Sequence, residues 1–171
     1  MAGTQLNSRP VMGTELVIEL TNWAGIWPEA EGLMAAHHEE LEGQSPLAKR
    51  MPFQIDYKWA QALDSAGALS IVAARADGVL VGYCIWYLGP NLESAGIKVA
   101  SQGPWYVEQS WRGRAGMKLF DRSLEQLRNL GVQCAYPHHW LFGGGIRLGE
   151  YFVKKYGAEE LEHVYGLWIG A

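Results

Sequence analysis

The stretch that decides the fold of this chain is residues 105–119, which read WYVEQSWRGRAGMKL. It begins with the apolar run Trp105 to Val107, which is typical of a strand. A short polar connection follows, and a helical pattern begins near Arg112. The stretch therefore predicts a strand, a short turn and then an amphipathic helix.

The predicted turn has the parts that a phosphate site needs. The first N–H groups of a helix have no partners within the helix, and they carry partial positive charge from the helix dipole. Small residues let a pyrophosphate approach the backbone closely. The small and basic residues here are Arg112, Gly113, Arg114, Ala115, Gly116 and Lys118. The alternative is a turn that uses glycine only for its geometry, with solvated basic side chains around it.

Two other phosphate-binding motifs do not fit this turn. A Walker A loop closes on Gly-Lys-Ser or Gly-Lys-Thr, and no such triplet is present. A dinucleotide fingerprint has three spaced glycines after the first strand, whereas this turn lies late in the chain. Both are excluded.

The elements before the turn include one strong hairpin signal. Two apolar runs, Leu69–Arg75 and Val79–Leu88, flank Asp77-Gly78, a dipeptide that favours a two-residue hairpin turn. The other predicted elements on this side are a strand at Leu16–Leu20, a helix that opens at Pro28, a helix capped by Asp56 that runs to Leu63, and an extended region from Ile97 to Val107.

The elements after the turn complete a strand and helix alternation. Met117, Phe120, Leu124 and Leu127 are spaced for one apolar helix face. A strand at Val132–Tyr136, a helix at Ile146–Tyr156 and a strand at Val164–Ile169 are predicted beyond it. Strands interleaved with helices favour an α/β fold with a mixed sheet and helices on its faces.

Length and composition predict one globular domain. The chain has 171 residues, of which 49% are hydrophobic, and a net charge of −4. We expect a loose leader at 1–13 and a single domain at 14–171. Basic residues cluster only around the turn, so no nucleic-acid partner is expected. No signal peptide or membrane span is apparent, which predicts a soluble, cytoplasmic protein. The isolated Cys84 and Cys134 form neither a zinc site nor a disulfide scaffold.

The stretch 105–119 resembles motif A of the GNAT superfamily of N-acetyltransferases. In that motif a strand ending in an apolar-Val pair precedes an Arg/Gln-x-x-Gly-x-Gly/Ala turn and a helix. Residues 149–158, GEYFVKKYGA, resemble the later helix of the family, which ends Lys-x-Gly-Phe. The element order is also similar, over residues 14 to 170. A finer similarity, to small GNAT proteins of tailed bacteriophages and prophages, lies at Tyr57, Gly67, Gly82-Tyr83, 90–92, the Arg112 turn and the final Lys-x-Gly.

The resemblance implies a GNAT fold, with a mixed central sheet whose central strands splay apart and are flanked by helices. It implies an acyltransferase that moves an acetyl group directly from acetyl-coenzyme A (acetyl-CoA) to a primary amine of a protein or small molecule. It also implies no metal, and a monomer or homodimer. The implied cofactor residues are Trp105, Tyr106, Val107, Arg112, Gly113, Arg114, Ala115, Gly116, Met117 and Lys118.

The sequence departs from the family pattern at three places. The turn is one residue short, so that only Gly116 clearly fills the last small position. An Asn that contacts the cofactor in the family falls on Ile146, and a Tyr that protonates the departing thiolate falls on Val153. The alternative function is therefore a catalytically weak or inactive binding protein with this fold, encoded by a phage and engaging a host or virion protein.

Three residues are candidates for catalysis. Glu108 follows the cofactor strand and suits a general base, although an exposed loop acid has the same appearance. His138 and His139 follow the fifth strand, and imidazoles titrate in the range that a base needs. The alternative is that both histidines pack or face solvent. Tyr151 is excluded as the missing acid, because two residues along a helix turn a side chain by about 200°.

The segment His37-His38-Glu39-Glu40 does not predict a metal site. Adjacent histidines on a helix point in different directions, and the i, i+4 histidine pair of a zinc helix is absent. We interpret it as a solvated helix face.

Overall fold

The structure is a computed structural model that describes residues 15–139, 145–161, 167 and 169. Its contacts divide the chain into two compact units. Among the described residues, one unit holds 15–35 and 55–136, and the other holds 36–54 with those from 137 onward. The single domain predicted over 14–171 stays a prediction.

The first unit contains a mixed sheet of five strands in the spatial order β1-β2-β3-β4-β5. The strands are β1 (Leu16–Thr21), β2 (Leu69–Ala76), β3 (Val79–Pro90), β4 (Lys98–Val107) and β5 (Cys134–Tyr136). Neighbours from β1 to β4 run antiparallel, whereas β4 and β5 run parallel. The predicted mixed sheet is confirmed.

Five α-helices lie between and after the strands. They are α1 (Trp23–Ile26), α2 (Glu29–Glu42), α3 (Tyr57–Ser65), α4 (Arg112–Asn129) and α5 (Gly145–Tyr156), with single 3-10 turns at Ala48–Arg50 and Gln109–Trp111. Helix α3 is capped as predicted, because Asp56 Oδ1 accepts a hydrogen bond from the Trp59 N–H at 2.9 Å. The leader at 1–13 lies outside the described residues, as does the strand predicted at 164–169 except for Leu167 and Ile169.

The hairpin between β2 and β3 has the predicted turn. Asp77 and Gly78 take φ values of 48° and 83°. Positive φ at both central residues is the geometry of the two-residue turn that matches the twist of the strands. The hairpin prediction is confirmed.

Helix α4 packs on the sheet with a face that differs from the predicted one. Phe120 and Leu127 are buried as expected, but Met117 and Leu124 are only half-buried. The buried positions of the helix are Ala115, Leu119, Phe120, Ser123 and Leu127. The prediction was wrong there because it counted large apolar side chains, whereas small ones at 115 and 123 bring the helix close to the sheet.

Strands β4 and β5 pair over three residues only. Val99–Ser101 lie opposite Cys134–Tyr136, and the side chain of Gln133 fixes the start, since its Oε1 accepts from the Lys98 N–H at 2.7 Å. The next residue after β5 is Pro137, which has no N–H to continue the ladder. Strand β4 continues to Val107 along β3. The pairing between β4 and β5 therefore stops at Ser101 while β4 continues, and the predicted splay of the central strands stays a prediction.

A β-bulge precedes the end of β4. Cys84 lies opposite Trp105 and Trp86 lies opposite Gln102, so Gly103 and Pro104 together oppose Ile85. A bulge tolerates a proline inside a sheet because one residue is left out of the ladder. It also bends and twists the strand just before its final residues.

We predict that Gly82→Ala destabilises the protein. A Cβ there would lie 2.9 Å from the Tyr106 carbonyl oxygen and 3.2 Å from Leu119 Cδ1. Overpacking of this kind costs about 1–3 kcal/mol of the free energy of unfolding, measured in urea. The control is Gly89→Ala on the same strand, where an added Cβ meets nothing within 4 Å. Equal stability of the two variants would contradict the packing between β3, β4 and α4.

Candidate functional site

The end of β4 and the start of α4 form the candidate site, joined by a tight connection. The Glu108 N–H donates to the Val81 carbonyl at 2.9 Å, and the Trp111 N–H donates to the Glu108 carbonyl at 2.9 Å. Helix α4 has no acidic residue in its first turn, and no side chain among the described residues caps it. The Arg112 N–H donates to the Gln109 carbonyl, so the N–H groups of Gly113 and Arg114, which follow it, are the ones that can offer their partial positive charge to an anion.

Two glycines in the first turns of α4 leave open space beside the backbone. A Cβ on Gly113 would meet nothing within 4 Å, and one on Gly116 would meet only Trp105 Cζ2 at 4.0 Å. Glycine in a helix costs about 1 kcal/mol relative to alanine, and packing within the chain requires neither residue. Ala115 is different, since its side chain is fully buried, so only its backbone can face a ligand.

The basic side chains of the turn take different directions. Arg112 turns back toward the sheet, where its Nε donates to the Val107 carbonyl at 3.0 Å and its guanidinium lies 5.4 Å from the Tyr106 ring centroid. The Arg114 guanidinium lies 4.7 Å from the Trp111 ring centroid. Both Arg114 and the lysine at 118 are exposed. The ten predicted cofactor residues all lie in the first unit, at the end of β4 and the start of α4.

The backbone at the end of β4 alternates in direction. Because the Glu108 N–H donates to β3, the backbone groups of Tyr106 also face β3 in an antiparallel ladder, and those of Trp105 and Val107 face away. They point to the side where the pairing with β5 has ended. An extended ligand can pair with a strand edge of this kind.

Aromatic rings pack on both faces of this strand end. Trp105 lies 5.1 Å from Phe120 and Trp86 lies 5.9 Å from it, centroid to centroid. On the other face Tyr83 and Tyr106 lie 6.2 Å apart, and burial raises the pKa of the Tyr83 hydroxyl far above its ordinary value. The rings hold β4 rigidly and keep it in place beside the helix start.

The buried thiol of Cys84 is not a nucleophile. Burial raises its pKa to about 12, so it remains protonated, and the thiolate is the reactive form. Cys84 is fully buried and packs as a small apolar residue.

Glu108 lies in the same unit as the predicted cofactor residues. Its side chain is exposed, and the Ser110 hydroxyl donates to its Oε1 at 3.1 Å. A carboxylate at the end of the cofactor strand can accept a proton, and an exposed loop acid has the same surroundings. The catalytic role of Glu108 therefore stays a prediction.

His138 and His139 lie in the second unit. The His139 ring packs 6.4 Å from the Phe152 ring, and Gly149 leaves room for it, because an added Cβ there would be 2.6 Å from His139 Nε2. Burial, and then the charge of His139, lower the pKa of His138. His138 is therefore a neutral imidazole near neutral pH, the form that accepts a proton.

The expected position of the family's acid carries no proton donor. Val153 is 52% exposed on α5, and an alkyl side chain cannot protonate a thiolate. Tyr151 packs edge-on against Tyr156 at 6.1 Å, with the Lys155 ammonium 5.4 Å from its ring. Its hydroxyl belongs to this aromatic and cationic group of α5.

The described residues offer neither a metal centre nor a membrane-spanning helix. No group of three His, Cys, Asp or Glu side chains there is placed to hold a metal ion. His38 Nε2 lies 3.0 Å from Glu42 Oε1, and its ring packs 5.7 Å from Phe53. No helix in the described part of the chain has the length and apolar character needed to cross a bilayer.

Sequence reasoning missed two features of the site. The bulge at Gly103-Pro104 was signalled by a Gly-Pro pair inside an apolar strand, which favours an interrupted ladder. The contact of Arg112 with the Val107 carbonyl had no sequence signal, because the direction of an arginine side chain depends on the finished turn.

Solved structures similar to this chain are acetyltransferases. A ribosomal-protein-alanine N-acetyltransferase from Brucella melitensis biovar Abortus 2308 is 21% identical, with a TM-score of 0.67 over 91% of this chain and 100% of that one. An aminoglycoside acetyltransferase from an uncultured soil metagenomic sample is 15% identical, with a TM-score of 0.70 over 91% and 99%. Aminoglycoside N-acetyltransferase AAC(6')-Iy, solved with CoA, is 16% identical, with a TM-score of 0.60 over 91% and 100%.

No protein-family model and no curated protein matches the chain. At these identities the similarity to solved structures shows the fold. The mixed five-stranded sheet, flanked by helices, is the GNAT fold. The fold predicted from residues 105–119 and the element order is confirmed.

We predict that His139→Asn raises the pKa of His138. Loss of the neighbouring charge removes one of the two causes that lower it, while burial remains. In the wild type the pKa of the His138 ring should lie below about 6.5, the ordinary histidine value. In the variant the pKa should lie closer to that value. An NMR titration of the ring protons measures both. A His138 pKa that is unchanged or lower in His139→Asn would contradict the pairing.

Proposed function

We propose that this chain is an N-acetyltransferase that transfers an acetyl group from acetyl-CoA directly to a primary amine of a protein or small molecule. The observation that carries the proposal is the outward-facing edge of β4 leading into the uncapped, glycine-lined start of α4. Similar structures support it, since those named above are acetyltransferases of a ribosomal protein and of aminoglycosides.

The residues of this site fit the cofactor. The backbone of Trp105 and Val107 would pair with its pantetheine arm, and the N–H groups of Gly113 and Arg114 would hold its pyrophosphate in the space that the glycines leave open. When bound, acetyl-CoA supplies an acetyl group activated as a thioester.

The chain contributes position and proton transfer. Holding the amine and the thioester together supplies a large part of the rate enhancement in transfers of this kind. The amine must lose its proton, and we assign that proton to Glu108, His138 or His139, directly or through water. The lowered pKa of His138 suits this role. The departing thiolate takes a proton from water or from the group that accepted the proton of the amine.

The proposal places the protein in the cytoplasm, because acetyl-CoA is a cytoplasmic metabolite. A phage-infected bacterial host is the setting that the finer sequence resemblance predicts. That source stays a prediction.

A second candidate is a GNAT-fold binding protein without catalysis, engaging a host or virion protein. The exposed Val153, at the position of the family's acid, favours it. Cofactor bound without any acetylated product would support this candidate. Loss of partner binding in a variant of the site, with no acetylated product in either protein, would strengthen it.

We expect Gly116→Asp to weaken acetyl-CoA binding by at least about tenfold, or about 1.4 kcal/mol. The substitution places a side chain and a negative charge in the open space at the helix start. Calorimetric titration measures the dissociation constant. Gly116→Ala separates the effect of side-chain size from that of charge, because it adds a Cβ without a charge. That Cβ meets only Trp105 Cζ2, at 4.0 Å, among the described residues.

The matched control for this substitution is Gly32→Asp. It introduces the same residue into α2, where an added Cβ meets nothing within 4 Å. It should bind acetyl-CoA like the wild type. Unchanged affinity in Gly116→Asp would show that the cofactor site lies elsewhere.

Activity is tested with labelled acetyl-CoA and a panel of amines. The panel includes aminoglycosides, polyamines, peptides with free N-termini and lysine-rich proteins, so that small-molecule and protein acceptors are compared. We expect the wild type and Gly32→Asp to transfer label to one class of amine acceptor, and Gly116→Asp to transfer none. Failure of the wild type to bind acetyl-CoA at all would overturn the proposal.

A further inference from the structure

We infer that Arg112 is a positioning residue that ties the end of β4 to the start of α4, and that Arg114 and Lys118 supply the charges for the cofactor phosphates. The inference rests on the proposed function, because it concerns the same cofactor site. It assigns different tasks to three basic residues that the sequence pattern treats alike.

Arg112 contacts the strand that precedes it. Its Nε donates to the Val107 carbonyl at 3.0 Å, and its guanidinium lies 5.4 Å from the Tyr106 ring centroid. Between these residues lies only the short connection 108–111, which contains one 3-10 turn. The side chain therefore closes this connection and fixes the angle at which α4 leaves the strand.

The same hydrogen bond affects what the strand edge offers to a ligand. The Val107 carbonyl points away from β3, to the side where the pairing with β5 has ended. With Arg112 bonded to it, a ligand that extends along this edge meets the Val107 N–H and the backbone of Trp105 first. Arg112 thus helps to set the register in which an extended ligand pairs with β4.

Arg114 and Lys118 are placed to meet a phosphate. They are four residues apart and share one face of α4, whereas Arg112 and Arg114 are two apart and do not. Both are exposed. The Arg114 guanidinium lies over the buried Trp111 ring at 4.7 Å, and this cation–π contact holds it near the helix start.

Two substitutions of Arg112 separate the tasks. Gln has no charge but can donate an amide N–H to the Val107 carbonyl, while Met has a similar length and can donate nothing. If Arg112 is a positioning residue, Arg112→Gln keeps its role and Arg112→Met loses it. If Arg112 is a phosphate cation, both variants lose the same interaction. Arg114→Gln is the comparison, since it removes a proposed phosphate charge.

The first measurement is calorimetric titration with coenzyme A at low and high salt. Loss of one hydrogen bond predicts binding about tenfold weaker for Arg112→Met, and binding close to that of the wild type for Arg112→Gln. Both should keep the salt dependence of the wild type. Arg114→Gln should bind more weakly at low salt and depend less on salt, because it has lost a screened charge.

The second measurement needs no cofactor. Amide hydrogen exchange in the free protein should be faster at residues 108–113 in Arg112→Met and unchanged in Arg112→Gln. The inference would be overturned if Arg112→Gln and Arg112→Met weakened coenzyme A binding equally and both reduced its salt dependence. It would also be overturned if neither variant changed the exchange rates or the affinity. If the wild type binds no coenzyme A, the proposed function fails, and the exchange result alone still decides whether Arg112 ties the strand to the helix.

Discussion

The short pairing between β4 and β5 is the constraint on which the rest of this structure depends. Three residue pairs join the strands, Gln133 fixes the start of the pairing through Lys98, and Pro137 cannot continue it. The end of β4 is thus paired with β3 on one side. On its other side, the backbone groups of Trp105 and Val107 point away from β3. The pairing with β5 ends before Val107, and the short connection 108–111 brings the helix start beside this strand end.

The local elements of this fold were predictable because their signals are local. Asp77-Gly78 fixes a hairpin through positive φ at both residues, and residues 105–119 carry a strand, a turn and a helix in one short stretch. What the sequence could not show depends on tertiary contacts. Helix α4 buries Ala115 and Ser123 as well as Phe120. Helix α1 has only four residues, too few to show the apolar periodicity by which a helix is predicted from sequence. The direction of Arg112 follows from a carbonyl that lies beyond the end of the pairing with β5.

The candidate site combines a proposed anion-binding part with a catalytic part, and the residues of both are predictions. The anion-binding part lies in one unit and uses glycines that packing does not require. Of the catalytic candidates, Glu108 lies in that unit, while His138 and His139 lie in the other. Val153 cannot replace the family's acid. Under the proposed function, the departing thiolate would therefore take its proton from a group other than the side chain at position 153.

The measurement that tests the central claim most directly is amide hydrogen exchange of the whole chain with and without acetyl-CoA. The claim is that one strand edge and one helix start hold this cofactor. The account predicts slower exchange at the amides of Trp105, Val107, Gly113 and Arg114 on binding, because the cofactor would accept hydrogen bonds from these N–H groups. Protection confined to other parts of the chain, or none at saturating acetyl-CoA, would contradict it.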